Sequence, residues 1–176
     1  EKLAQVRAQI QQKQADVHLI SSLDDIAWLL NLRGSDVEFN PVFLSHLLLD
    51  DTKATLFVDI NKLDDKIRTS PESMGVQVAE YQAIGDAIAQ VSGKLLIDPS
   101  RIAIGTLKQL SSSVELIRAM NPSTIIKAIK SEADIEHIRE AMRQDGAALC
   151  EFFAEFEAKT SLGERITELD IDRMLI

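Results

Sequence analysis

A single cysteine, Cys150, leaves no partner for an internal disulfide, and one unpaired thiol fits a reducing cytosol. Proline and glycine are sparse, at 4 and 7 residues, and no low-complexity tract or internal repeat interrupts the chain. No run of 18 apolar residues occurs, and no basic segment followed by an apolar stretch opens the sequence, so neither a membrane span nor a secretory signal is expected. Positive charge is in deficit: 19 Lys and Arg against 28 Asp and Glu give a net charge of −9. That balance excludes duplex nucleic acid and anionic membranes as natural partners, since both demand a basic surface. What remains is a chain of 176 residues, 45% hydrophobic and 27% charged, enough for one well-filled domain plus part of a second.

Leu3, Val6 and Ile10 recur at helical spacing among Gln, Lys and Arg, which predicts an opening amphipathic helix. Residues 15–20 (ADVHLI) read as a short buried strand. Ser22 and Asp25 stand in the S-x-x-D arrangement of a capping box, ahead of a helix carrying Ile26, Leu29 and Leu30 that should stop near Gly34. Strands are expected over 42–49 and 54–58, joined as a hairpin by the polar turn at 50–53. A short helix follows over 61–67, then a strand at 76–81, a helix at 84–91 closed by Gly93, and strands at 94–97 and 112–117. This alternation predicts an α/β domain, a mixed β-sheet with helices on both faces. Strand signals end at Asn121-Pro122, which divides the chain into an α/β domain over 1–122 and a C-terminal helical segment over 123–176. In that segment Ser131 and Asp134 predict a cap for a long helix. Its apolar stripe runs through Ile135, Ile138, Met142, Leu149, Phe152, Phe153 and Phe156. Thr167 and Asp170 cap a last helix that the chain leaves unfinished, so a truncated second domain is expected.

Chemistry is harder to find. His18 and His46 lie within apolar strands and His137 on the polar side of the long helix, and no pair has metal-ligand spacing. Cys150 has no base or positive field nearby in sequence and reads as a buried small hydrophobe. Ser111-Ser112-Ser113 lacks the context of a nucleophile elbow, and Gly93-Lys94 lacks that of a phosphate loop. The carboxylate pairs at 24–25, 50–51 and 64–65 read as helix N-termini, turns and solvated surface. One segment resists so plain an account: L-D-D-I-A-W-L-L-N-L-R-G-S-D from Leu23 to Asp36, followed by N-P-V-F from Asn40 to Phe43.

That string is similar to a signature of the cytosolic-type Xaa-Pro aminopeptidases (aminopeptidase P) of the creatinase/prolidase superfamily. A second string supports it: Lys127-Ala128-Ile129-Lys130-Ser131-Glu132, then Ile135-Glu136, Met142-Arg143, Asp145-Gly146, the run from Ala148 to Phe153, and Thr167-Glu168. It resembles the stretch that opens the family's catalytic domain. The resemblance spans essentially the whole chain. It implies that residues 1 to about 122 are a creatinase/prolidase N-terminal-like domain, the second of the parent enzyme. The remainder would be a linker and the first helices of a "pita-bread" catalytic domain. It also implies a cytoplasmic metallopeptidase that uses two divalent metal ions, commonly manganese, to hydrolyse peptides with proline in second position. The metal ligands of such enzymes lie downstream of the motif matched by Thr167-Glu168, so no catalytic or metal residue is carried over and the chain alone should be inactive.

In related enzymes N-terminal domains shape access to the active site, sometimes that of a neighbouring subunit, which leaves a homodimer open. The loop from Arg33 to Asn40 is therefore a candidate substrate entrance, with Arg33, Asp36 and Asn40 as its polar residues. The plainer account is that Arg33 caps carbonyls at the helix end or pairs with Asp36. Two further readings compete: a free-standing binding or assembly module of the same fold, and an unrelated nucleotide-binding domain. The latter would need a glycine-rich turn after a strand, and none is present.

Overall fold

The computed structural model describes residues 1–175, with Asp65 and Lys66 described in backbone only. The chain divides into two compact units, Glu1–Ala128 and the segment from Ile129 onward. In the first unit the elements run α1 (Lys2–Gln12), β1 (Val17–Ile20), α2 (Leu23–Leu30), β2 (Ser45–Asp50), β3 (Ala54–Val58), α3 (Asp65–Ser73), β4 (Val76–Glu80), α4 (Ile84–Ala89), β5 (Lys94–Ile97), β6 (Glu115–Arg118) and α5 (Pro122–Ala128). The second holds α6 (Glu132–Ser161) and α7 (Glu168–Leu175). α5 belongs to the first unit, where it packs on α1 and α2.

The six strands form one sheet in the order β4-β3-β2-β1-β5-β6. The β1–β2 and β2–β3 pairs are antiparallel, and the β3–β4, β1–β5 and β5–β6 pairs are parallel, so β2 alone runs against the rest. The expected mixed sheet is thus present. Strand side chains alternate between its faces as the pleat requires. Ile20, Leu47, Leu49 and Leu96 join Val6 and Ile10 of α1 and Ile26, Leu29 and Leu30 of α2 on one face. Leu19, Leu95 and Ile97 join Ile88 of α4 on the other. Both faces are covered, which explains why these strands read as continuous apolar runs.

Local departures from the sequence reading have physical causes. α2 ends at Leu30 rather than near Gly34, because Asn31 takes the left-handed conformation (φ 52°) that closes a helix. Gly34 serves close approach instead: a Cβ there would stand 2.7 Å from Phe43 Cβ and 3.1 Å from the Val42 carbonyl oxygen. β2 begins at Ser45 rather than Val42, since Val42 and Phe43 are buried in the loop leading to it. Apolar character there marks core, not strand. The helix expected over 61–67 becomes a 3₁₀ turn at Ile60–Lys62 and then α3, capped by Asp59 and Asp64. The side chain of Asp65, second of the pair at 64–65, lies outside the described residues. α4 stops at Ala89, and Gly93 (φ 77°) turns the chain into β5. The last strand starts at Glu115, after a turn in which Ser111 Oγ accepts from Ser113 N. The turn at 50–53 holds as expected: Asp50 Oδ1 accepts from the amides of Thr52 (2.8 Å) and Lys53 (2.6 Å).

His18 is fully buried in β1, with Nδ1 2.9 Å from the Leu96 carbonyl oxygen. A carbonyl only accepts, so the proton sits on Nδ1 and the lone pair on Nε2. Burial depresses the imidazole from its ordinary 6.5 to about 4, outweighing the bond to Leu96.

Two outcomes follow for stability. Gly34→Ala should lower it by about 1–3 kcal/mol, visible as a reduced urea midpoint, because the new methyl overpacks against Phe43. His18 gives a pH dependence. The unfolded state binds the proton below about 6.5 and the folded state only below about 4. The His18 contribution is therefore complete above 6.5 and is lost as pH falls through that window. Between pH 7 and 4.5 the wild type should lose roughly 2–3 kcal/mol more than His18→Asn. His46 is also depressed by burial and shifts both proteins alike, so equal losses in the two would overturn the assignment.

Candidate functional site

Because β2 alone is reversed, its entry lies beside the carboxyl ends of the five other strands. This is the edge where open α/β sheets gather their polar loops. Ser21 and Ser22 follow β1, Tyr81 follows β4, and Asp98 to Arg101 follow β5. The loop from Asn31 to Leu44 must return to the same edge to start β2. An open cleft of about 510 Å³ forms there, walled by Ser21, Ser22, Leu23 and Asp24 at the β1–α2 corner, by Val37, Asn40 and Val42 of the loop, and by Arg101.

The loop is built stiffly. Arg33 donates from Nη1 to the carbonyl oxygens of Ala27 (2.9 Å) and Leu32 (2.8 Å), closing the end of α2. It makes no ion pair with Asp36. That carboxylate lies 2.7 Å from Lys62 Nζ and accepts from Leu44 N at 2.7 Å, and the Lys62 bond first of all holds its pKa below the usual range. Asn40 fixes a tight turn through its backbone: its amide donates to the Val37 carbonyl (3.1 Å) and its own carbonyl accepts from Val42 N (2.7 Å). Its side chain is left to the cleft wall. Of the three polar residues singled out in the sequence, Asn40 lines the cleft while Arg33 and Asp36 hold the loop. The turn also presents Phe39, at φ 59° and 85% exposed, which no sequence signal distinguished.

Beneath the cleft lies a buried polar cluster that the sequence reading missed. Asp25 is 0% exposed, not solvated surface. Its Oδ2 accepts from Thr124 Oγ1 (2.7 Å) and Asn121 Nδ2 (3.2 Å), and its Oδ1 lies 2.8 Å from Lys127 Nζ. Lys127 also bonds Asp24. Burial would raise the Asp24 carboxyl, but the bond and charge of Lys127 hold it low. Burial likewise opposes the charge on Lys127, and the two carboxylates outweigh it and raise its pKa. Asp98 accepts from Asn121 N at 3.1 Å. The capping box expected at Ser22 is therefore absent: Asp25 is engaged elsewhere, and Ser22 Oγ donates to Asp24 at 3.1 Å.

Ser21 Oγ and His46 Nδ1 are 2.8 Å apart, with the imidazole stacked on Tyr81 at 5.2 Å. Among the described residues no carboxylate bonds the other ring nitrogen, so the pair lacks the third member of a triad. His137 is exposed on α6. Cys150 is exposed as well, against its expected burial, on a helix none of whose residues is buried. Both predicted C-terminal caps form: Ser131 with Asp134, and Thr167 with Asp170. Phe152 stacks with Phe156 (5.9 Å) and meets Phe153 edge-on (5.1 Å). No group of three or more His, Cys, Asp or Glu among the described residues is placed to hold a metal ion, and no described helix is long and apolar enough to cross a membrane.

Comparison with known proteins agrees with this architecture. Xaa-Pro aminopeptidase 1 of Dictyostelium discoideum is 40% identical over 161 residues, which is 89% of this chain and 25% of the relative. Xaa-Pro aminopeptidase ApepP of Drosophila melanogaster is 35% identical over 170 residues, 93% of this chain and 27% of the relative. The chain thus spans about a quarter of the length of these relatives. Among solved structures, the X-prolyl aminopeptidase of Caenorhabditis elegans, described as a cytosolic enzyme with a di-nuclear active site, superposes with a TM-score of 0.83 at 27% identity. That match covers 99% of this chain and 29% of the other. The sequence profile of the creatinase/prolidase N-terminal domain matches residues 1–134, taking in the whole sheet, the cleft and the Asp25 cluster. By that match the chain belongs to the creatinase/prolidase N-terminal domain family.

Proposed function

We propose that this chain is a non-catalytic part of a metal-dependent Xaa-Pro aminopeptidase, a cytoplasmic enzyme that removes an N-terminal residue preceding proline. In this reading residues 1 to about 122 are the second domain of the parent. Residues from about 123 onward are a linker and the first helices of its catalytic domain. The observation that carries it is the end-to-end likeness to relatives bearing that activity, each about four times as long as the matched segment. Physical contact between the two distinctive strings adds support: Lys127, which opens the second, bonds Asp24 and Asp25 of the first.

Among the described residues no group is placed to hold a metal ion; in this reading the two divalent ions, with manganese the expected pair, belong to the parent's downstream domain. No step of peptide hydrolysis is assigned to these residues. Their part is to bind and admit: the loop from Arg33 to Asn40 forms one side of the substrate entrance, and Asn40 offers its side-chain amide to the peptide.

The reading is tested on the full-length protein, with this 176-residue chain in parallel, by hydrolysis of Xaa-Pro peptides with added Mn²⁺. Activity is expected in the long form alone. Activity in the short chain would overturn the assignment of chemistry, and activity in neither would overturn the family function. Arg33→Ala would loosen the end of α2, so Asn40→Ala is the cleaner probe of the loop. It should lower kcat/KM about fivefold, the worth of one lost hydrogen bond, with no change in Tm. An unchanged kcat/KM would remove the loop from the substrate path.

A further inference from the structure

α5 spans only seven residues, Pro122–Ala128, too few for a helix to hold itself in water. Part of its hold is apolar: Pro122 is buried and Ile126 packs on the core shared with α1 and α2, while Ile125 is half exposed. The rest is polar. Asn121, Thr124 and Lys127 stand three apart, a spacing that puts all three on one side of the helix. All three meet the same carboxylate, Asp25, completely buried at the start of α2: Asn121 and Thr124 donate to Oδ2, and Lys127 forms an ion pair with Oδ1 at 2.8 Å. A second anchor, Asp98 at the end of β5, takes the Asn121 amide. The C-terminal end of α5 is thereby tied to the carboxyl edge of the sheet through Lys127. Three residues later the long helix α6 begins at its own cap, Ser131.

We propose that Asp25 and Lys127 form a polar lock that fixes the point at which the chain leaves the α/β domain, and that they are positioning residues for the parent peptidase. The inference rests on the reading of this chain as part of an Xaa-Pro aminopeptidase. Lys127 also bonds Asp24, which walls the cleft, so the lock fixes that side of the proposed entrance as well. Lys127 touches neither substrate nor metal in this account. Its loss should weaken peptide binding and leave the bond-breaking step intact.

The test is Lys127→Met in the full-length protein, which keeps an apolar stem and removes the ammonium, with Lys127→Arg as the conservative variant and Thr124→Val as a milder one. Two readouts are taken together. Hydrogen exchange should rise at least tenfold at the amides of α5 in Lys127→Met while the central strands stay protected. KM for an Xaa-Pro peptide should rise about tenfold with kcat within twofold of wild type. Lys127→Arg should restore most of both, and Thr124→Val should fall between. Unchanged exchange in α5 would overturn the lock. Released α5 with unaltered KM would overturn its role in positioning. Loss of strand protection in Lys127→Met would pass the decision to Thr124→Val, judged by the same two criteria. If wild-type protein hydrolyses no Xaa-Pro peptide, the parent reading fails, and the exchange data alone still confirm or overturn the lock.

Discussion

A carboxylate with no access to water must find its hydration shell among the side chains around it, and in this protein that demand falls on Asp25. It is met by a hydroxyl, an amide and an ammonium from one short stretch of chain about a hundred residues away. The arrangement works in both directions. The charge keeps α5 in place, and α5 keeps the charge solvated. Removing Lys127, which is partly exposed, leaves Asp25 with two neutral donors, so the cost stays below the roughly 3–5 kcal/mol of a fully buried pair. A methyl-for-methyl change on the exposed side of α5 would cost a small fraction of that. The start of α2, the end of β5 and α5 therefore hold together or separate together.

The location of this cluster follows from the sheet. With β2 alone reversed, five strands deliver their carboxyl ends to one edge, and the loop that starts β2 is drawn to that edge as well. Chain leaving a parallel strand exposes carbonyls, and chain entering a helix exposes amides, so polar side chains concentrate there. The cleft, the Ser21–His46 pair, the Asp36–Lys62 pair and the Asp25 cluster are all residents of that edge. The two faces, by contrast, are filled almost entirely with Leu, Ile and Val. His18 is a polar exception in β1, and it is accommodated by staying neutral.

This division also explains how much could be read in the sequence. Strands with both faces covered announce themselves as apolar runs, and β1, β3, β4 and β5 lie within a residue or two of where such runs place them. Boundaries slip where a local signal has two meanings. Val42 and Phe43 are apolar because they are buried in a loop, and Gly34 lacks a side chain because Phe43 stands against it. The site was legible only as an unusual string. Arg33, Asp36 and Asn40 share one loop, yet their tasks are set by Ala27, Lys62 and Val37, none of which is marked by spacing. The partners of Asp25 lie 96 to 102 positions away, beyond any periodicity.

Three copies of one local motif make the point within a single molecule. Ser131 with Asp134 and Thr167 with Asp170 each form the reciprocal bonds of a capping box, and each stands exposed at the start of its helix. Ser22 and Asp25 have the same residue types at the same spacing and form no such box. The difference is burial. The exposed aspartates are served by partners within three residues and by water, whereas Asp25, shut off from water, is served by Asn121, Thr124 and Lys127 together, which outweighs a cap worth about 1 kcal/mol. Local preference thus decides wherever tertiary structure makes no competing offer. Its failure at Ser22 marks the place where the fold required that carboxylate for something else, the attachment of α5.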